Sequence, residues 1–492
     1  MPDFILGIDQ GTTGSTALLI GHDLRVHGRC TIDFPQHFPR PGWVEHNPEE
    51  IWGSVRRAIL DLMESTDTRS SQIMAIGITN QRETTALWER DDSTAAANAI
   101  VWQCRRSASV CDKLKAQGLE ELYRSRTGLV LDPYFSGTKL TWFFEESARL
   151  KQRAADGQLA FGTIDSFLVW RLTGGKTHVT DVSNASRTLM MDLQDLSWKD
   201  ELLEPLGVPR SILPEIVPSS SIYGKTSGLD FLPDGIPIAG MAGDQQAALF
   251  GQACFKPGQT KCTYGTGAFI LENIGEHPLP SKHGLLTTVA WQLKGKTSYA
   301  LEGSAFIAGA AVQWLRDGLG LIQSSAEIEA LARQVNDNGG VVFVPALTGL
   351  GAPHWRSDVR GQISGLTRGT TAAHIAHATL QGIALQVHDL VAAMADDRGA
   401  AGSILKVDGG AANNDLLMQM QSDLLNRPVS RPETVETTAL GAAMLAGLAV
   451  GFWSDTEELA SSWREERCFR PQAGKDWQET LLSQWTQALN KT

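Results

Sequence analysis

The chain has little cysteine, no excess of positive charge and no apolar run long enough to cross a bilayer, and each shortage removes a class of function. Its six cysteines among 492 residues, at positions 30, 104, 111, 254, 262 and 468, are scattered, with no C-x-x-C pair and no zinc-type spacing. That leaves no disulfide framework or zinc motif to build on and implies free thiols in a reducing compartment. A formal net charge of -12 makes nucleic acid or an anionic membrane surface a poor main partner. The local cluster Cys104-Arg105-Arg106 reads as a solvated helix face. The longest apolar stretch, Ala439 to Trp453, is too short for a bilayer and rich in Gly and Ala, the pattern of a packed core helix. The opening Met-Pro-Asp-Phe lacks the basic region and long apolar stretch of a secretory signal, so a cytoplasmic location is expected. No low-complexity tract interrupts the chain.

What is present is a set of three related segments: Gly7-Ile8-Asp9-Gln10-Gly11-Thr12-Thr13, Gly243-Asp244-Gln245-Gln246 and Val407-Asp408-Gly409-Gly410. Each sets an Asp beside small or flexible residues at the end of a short apolar run. A strand ending this way can bring a carboxylate and bare backbone N–H groups up to a phosphate. Three of them in an acidic chain with 42% hydrophobic residues predict a cleft between two domains that handles ATP and Mg²⁺.

The order of elements points the same way. Phe4 to Ile8 and Thr16 to Ile20 read as a β-hairpin, and Ile73 to Thr79 as a buried strand ending in the polar cluster Asn80-Gln81-Arg82-Glu83-Thr84-Thr85. After Gly235 the order returns: an apolar run from Ile236 to Ala242, then Thr260 to Ile270 carrying Tyr264-Gly265-Thr266-Gly267. A helical block (Ala305 to Trp314) and strands at Val341 to Pro345 and Ile404 to Val407 follow. This duplicated layout predicts an α/β protein of two domains, 1–250 and 251–492, with the boundary near Leu249–Gln252. The stretches Pro205–Pro218 and Pro345–Pro353 read as long loops or lids.

In phosphoryl transfer the protein does little covalent work: a carboxylate accepts the hydroxyl proton while donors and a metal hold the phosphates in line. Asp244, in an amide-rich setting within an apolar stretch, fits the base; Asp9, followed by two hydroxyls, fits the metal. Taken singly, each feature has a plainer reading. Asp9 could close an ordinary hairpin turn, a Gly-x-Gly pair is a weak signal, and the Leu416, Leu417, Met420 and Leu424 stripe is core.

Several segments together resemble the glycerol members of the FGGY carbohydrate kinase family, which share the actin-like, ribonuclease H-type ATPase fold. They are the Asp9–Thr13 motif, Pro41-Gly42-Trp43-Val44-Glu45-His46, Gly77 to Thr85, Val101-Trp102-Gln103-Cys104-Arg105-Arg106, Asp132 to Lys139, Ala242 to Gly251 and Val344 to Pro353. The resemblance runs from about Phe4 to Phe469. It implies that Arg82, Glu83, Tyr134, Asp244 and Gln245 hold the hydroxyls of glycerol while Trp102 and Phe269 flank its carbons. A small triol with three donor–acceptor groups suits such a site, which would reject analogues lacking a hydroxyl. It further implies that Thr12, Thr13, Gly14, Thr16, Thr266, Gly309, Gln313, Gly410 and Asn414 lie along ATP, with Mg²⁺ near Asp9 and Asp244. The expected partners are glycerol and ATP, with no nucleic acid and no integral membrane segment; a homo-oligomer is compatible with the sequence. A kinase for a larger polyol or sugar, and a non-catalytic nucleotide-dependent sensor on the same fold, are the rival readings.

Two departures stand out. Glycerol kinases commonly continue the first motif as Thr-Thr-Ser-Ser-Arg, whereas this chain has Thr12-Thr13-Gly14-Ser15-Thr16, so Thr16 replaces a basic residue and ATP binding weaker than is usual in the family is expected. The stretch Gly228-Leu229-Asp230-Phe231-Leu232-Pro233-Asp234-Gly235 carries acids where members inhibited by fructose 1,6-bisphosphate carry an arginine, so no such inhibition is expected.

Overall fold

A computed structural model of the chain describes residues 3–356 and 358–492. Two mixed sheets organise it. The first contains β1 (Phe4–Gln10), β2 (Gly14–Ile20), β3 (Val26–Asp33), β4 (Ile73–Asn80), β5 (Ser220–Lys225) and β6 (Pro237–Gly243), in the order β5-β6-β4-β1-β2-β3. The second contains β7 (Thr260–Tyr264), β8 (Ala268–Gly275), β9 (Leu286–Leu293), β10 (Lys296–Ala305), β11 (Leu405–Asp408), β12 (Val429–Pro432) and β13 (Glu465–Phe469), in the order β9-β10-β8-β7-β11-β12-β13. In each sheet an antiparallel hairpin (β1/β2, β7/β8) leads to a further antiparallel neighbour on one side and parallel strands on the other. The duplication read from the sequence is therefore a duplication of sheet topology. The parallel strands are near-continuous apolar runs, such as Ile5, Leu6 and Ile8, all buried, as strands covered on both faces must be.

Two helices, α1 (Asp244–Gly251) and α2 (Thr437–Val450), lie in one apolar cluster with residues of both sheets: Ile5, Ala75 and Ala239 from the first, Leu271, Trp291 and Ala300 from the second. The glycines explain how close α2 comes. Gly7, Gly77 and Gly240 form a row across three neighbouring parallel strands. A Cβ on them would meet Ala439 O at 2.7 Å, Ala442 O at 2.1 Å and Ala446 N at 2.5 Å. The two helices touch each other on the same terms, since a Cβ on Gly441 would lie 1.9 Å from Ala247 O. The Ala439–Trp453 run is thus the packed helix that its composition suggested, but it comes from the second half of the chain and covers the first sheet. The boundary placed at residue 250 falls in the last turn of α1, a helix that both sheets share.

The helical block expected from Ala305 to Trp314 begins later. Ala305 ends β10, and α3 runs Gly309–Asp317. The Ala-rich spacing of residues 305–314 is helix-like, but residues up to Ala305 pair with β8 through Ala268, and strand pairing overrides local propensity there. Likewise Pro205–Pro218 is not a plain loop: it includes the end of a helix (Asp200–Leu206) and a short strand (Glu215–Val217). Among the described residues no helix is long and apolar enough to cross a membrane.

Candidate active site

Three parallel strands of the first sheet end at one edge. Asp9 on β1 lies in register with Thr79 on β4, and Gly243 at the end of β6 with Asn80. The edge therefore gathers Asp9, the Asn80–Glu83 cluster and Asp244, the first residue of α1. The backbone closes it tightly, with Gln81 N donating to Gln10 O at 2.7 Å and Gly11 N to Gly14 O at 2.9 Å.

Around this edge sits a buried charge network. Arg82, 2% exposed, bonds both oxygens of Glu302 (Nη1 to Oε2 2.5 Å, Nη2 to Oε1 2.9 Å), donates to the Tyr134 hydroxyl at 3.3 Å and holds Asp244 Oδ1 at 3.1 Å through Nε. Arg187, fully buried, donates to Glu83 Oε1 at 2.7 Å and to Glu302 Oε1 at 3.0 Å. The two arginines and two glutamates balance in charge, as a buried set must. Burial pushes the Glu302 carboxyl up, but Arg187 and Arg82 outweigh it and leave that carboxyl below its ordinary range. Glu83 adopts a left-handed backbone (φ 59°). Its carbonyl accepts from Thr85 Oγ1 at 3.0 Å and from Ser136 Oγ at 3.1 Å. Strain of about 1–3 kcal/mol for a non-glycine residue in this region persists only where the surroundings over-determine it, as they do here.

Of the residues that the resemblance assigns to glycerol, Arg82 touches Asp244 and Tyr134 directly, and Glu83 is tied in through Arg187. Gln245 Oε1 accepts from the buried ammonium of Lys261 on β7, which also donates to Thr263 Oγ1 at 2.8 Å. Trp102 meets Tyr134 edge-on at 5.7 Å and Phe269, on β8 of the second sheet, at 6.3 Å between ring centroids. These rings form apolar walls beside the charged floor. Arg187, Lys261 and Glu302 were missed in the sequence. Arg187 and Glu302 reach Glu83 and Arg82 across 104 and 220 residues and Lys261 reaches Gln245 across 16, so no local spacing marks them; for Glu302 the available signal was a charge inside an apolar run, Ala300-Leu301-Glu302-Gly303.

The residues assigned to the nucleotide fall in two groups, one on the first sheet and one on the second sheet and its helices. Thr12 Oγ1 accepts from Trp102 Nε1 at 2.9 Å, so the first loop is joined to the aromatic wall; Thr13 is exposed and Gly14 half-buried beside it. Thr16 stands opposite Asp9 across the β1/β2 ladder and bonds Thr31 Oγ1 at 2.9 Å. In the second sheet, Ala310 N at the start of α3 donates to Thr266 O at 3.0 Å and Gly309 N to Gly265 O at 2.9 Å. A Cβ on Gly309 would lie 2.6 Å from Gly265 O, so only glycine permits this approach. Gln313 is exposed one turn further along α3. Gly409 (φ 84°) packs on Tyr264, and a Cβ on Gly410 would meet open space, leaving its backbone accessible. Asn414 caps the helix α4 (Asp415–Leu425), its Oδ1 accepting from Leu417 N at 2.9 Å. Asp408, in the third of the segments first singled out, is turned away: buried, it accepts from Gln252 Nε2 at 2.8 Å and Thr437 Oγ1 at 2.6 Å and joins the end of α1 to the start of α2.

Asp9 and Asp244 carry the electrostatic signature of the edge. Asp9 is pushed up to about 8, first by desolvation and then by the charges of Asp244 and Glu436, against the pull of Arg29. Asp244 also lies above its ordinary value: burial raises it more than Arg82 and Lys261 lower it. Burial is the first cause of both shifts, and the charge of Asp244 adds to the shift of Asp9; a divalent cation beside the two carboxylates would offset both effects. Among the described residues no group of three or more His, Cys, Asp or Glu side chains could hold a metal alone, so the fit is to Mg²⁺, which is held by one or two carboxylates together with substrate phosphates.

Comparison with known proteins gives the family. Residues 4–251 match the N-terminal domain of the FGGY family of carbohydrate kinases and residues 260–450 its C-terminal domain. A glycerol kinase of Myxococcus xanthus is 56% identical over 99% of both chains. The crystal structure of the Plasmodium falciparum glycerol kinase with ADP superposes with a TM-score of 0.92 and 35% identity, covering 99% of this chain and 98% of that one. A gluconate kinase from Lactobacillus acidophilus shares the fold alone, with a TM-score of 0.89 at 22% identity over 99% and 98% of the two chains. With both domain models matched in order and such relatives aligned over nearly all of its length, the chain belongs to the FGGY family of carbohydrate kinases.

Proposed function

We propose that the protein transfers the γ-phosphoryl group of ATP to glycerol, giving sn-glycerol 3-phosphate and ADP, with Asp244 as the general base. The observation that supports this reading is the cluster in which Arg82 meets Asp244 and Tyr134, Arg187 meets Glu83 and Lys261 meets Gln245, with Trp102 touching both Tyr134 and Phe269. Paired donors and acceptors at fixed positions would read the hydroxyls of a three-carbon triol, with the two rings beside its carbons. The identity to glycerol kinases over the whole chain supports the same substrate.

In this reading Arg82 orients Asp244, and the raised carboxyl of Asp244 takes the proton of the attacking hydroxyl as the new P–O bond forms. Lys261 fixes the amide of Gln245, so that this group meets the substrate in one orientation. Thr12, Thr13 and the backbone at Thr266, Gly309 and Gly410 line the phosphates and the rest of the nucleotide. Asp9 and Asp244 would hold Mg²⁺, which when bound neutralises charge developing on the phosphates. The approach of the two sheets over this cluster would exclude water and limit wasted hydrolysis of ATP. The test is ADP release with Mg-ATP and glycerol, set beside erythritol, xylulose and a control without acceptor. Turnover with glycerol alone is the expected result. Activity confined to a larger polyol, or hydrolysis indifferent to acceptor, would retire the reading and leave the family assignment standing.

A further inference from the structure

Arg29 lies on the same face of the first sheet as Asp9. Asp9 is paired with Thr16 and Thr16 with Thr31 across consecutive antiparallel ladders, and directly opposed residues share a face. Arg29 is two residues from Thr31 on β3 and so points to that side as well. The hydroxyls of Thr16 and Thr31 are spent on each other at 2.9 Å, which leaves β2 without a cation to offer the cleft. Arg29 instead pairs with Glu436, the residue that precedes α2, at 2.9 Å, its side chain 49% exposed. A nucleotide triphosphate would add several negative charges to an edge already lined by three carboxylates. An exposed ion pair such as Arg29–Glu436 is worth little in itself, so the guanidinium can exchange one acid for a phosphate at small cost. Its planar fork suits phosphate oxygens.

We propose that Arg29, carried on β3, is the cation that meets the nucleotide's phosphate chain beside Asp9, filling from the neighbouring strand the place left by Thr16 on β2. The inference rests on the reading of the chain as an ATP-dependent kinase and changes one expectation drawn from it. The phosphates keep a charge-assisted donor, so Thr16 alone does not weaken ATP binding.

The test is calorimetric titration of the full-length protein with Mg-ATP, Mg-ADP, AMP and adenosine, for wild type, Arg29→Gln, Thr16→Arg and the exchange Thr16→Arg/Arg29→Thr. Arg29→Gln is expected to weaken ATP and ADP about tenfold, the loss of one charge-assisted contact, and to leave adenosine binding unchanged. The exchange should recover most of that loss, because it returns the cation to the same face one strand away, and Thr16→Arg alone should gain little. The inference is overturned if Arg29→Gln binds Mg-ADP as wild type does. It is equally overturned if adenosine weakens in parallel, or if Thr16→Arg alone tightens ATP tenfold. Glycerol-dependent turnover by wild type is measured alongside. A wild type that binds ATP without phosphorylating glycerol would count against the proposed function, whereas a glycerol-active wild type with an indifferent Arg29→Gln variant would count against the role of Arg29.

Discussion

Asp244 and Asp9 illustrate how the same residue type is set to different tasks by its neighbours. Asp244 is held by Arg82 at 3.1 Å, so Asp244→Asn keeps the shape while removing the proton acceptor. Glycerol-dependent ADP release should fall by about 10²–10⁴-fold with Mg-ADP affinity changed far less, as measured by coupled assay and calorimetry. For Asp9 the sign of the pH effect can be worked out. Its folded value of about 8 lies above its ordinary 3.8, so between those values the folded state keeps a proton that the unfolded chain has released. Stability therefore falls as pH rises through that window. Asp9→Asn removes the cost, and the ligand-free variant should unfold about 2 °C or more above wild type at pH 8.5, with little difference at pH 4. Thermal unfolding at both values checks this, and an equal gap at the two would refute it.

Among the elements, β10 and α2 matter most, and both act through what they bring from far along the chain. Glu302 on β10 anchors Arg82 and Arg187, so Arg187→Met leaves Glu83 and Glu302 short of a cation in a buried setting. A loss of about 3–5 kcal/mol in stability is expected from breaking such a network. Glycerol affinity should fall more than nucleotide affinity, measured by denaturant unfolding and by titration with each ligand. Two glycines, one packed under α2 and one on an open helix face, make a second, opposite-signed pair of expectations. Gly77→Ala would drive a methyl against Ala442 O at 2.1 Å and should cost about 1–3 kcal/mol or more. Gly53→Ala, within the helix Pro48–Ser65 and facing open space, should gain about 0.5–1 kcal/mol from helix propensity. Chemical denaturation of the two variants compares them directly.

At the scale of the molecule, α2 makes the two halves interdependent. Residues 1–251 would leave bare the glycine row of β1, β4 and β6, together with the apolar surface around Ile5, Ala75 and Ala239. A fragment ending there should therefore fail to give a cooperative unfolding transition or a monomeric elution profile, since it exposes a contiguous core surface. A fragment 1–251 that folded and eluted as a stable monomer would show that α2 is dispensable to the first sheet.

Local pattern was enough for part of this protein. The strand ends bearing Asp9 and Asp244, the duplicated hairpin openings and the apolar α2 are legible because each is written in a few consecutive residues, where alternation, turn chemistry and helix composition act over short range. The motif strings were long enough to carry the family resemblance. The tertiary structure decided what depends on distant partners. Asp408 faces inward to Gln252 and Thr437; Arg187, Lys261 and Glu302 bond Glu83, Gln245 and Arg82; Ala305 ends a strand and the helix begins at Gly309; and Arg29 shares the face of Asp9. A charged side chain in an apolar run announces that it has a partner, since burial without one is too costly, but its identity is set by strand order and register, which no stretch of neighbouring residues contains.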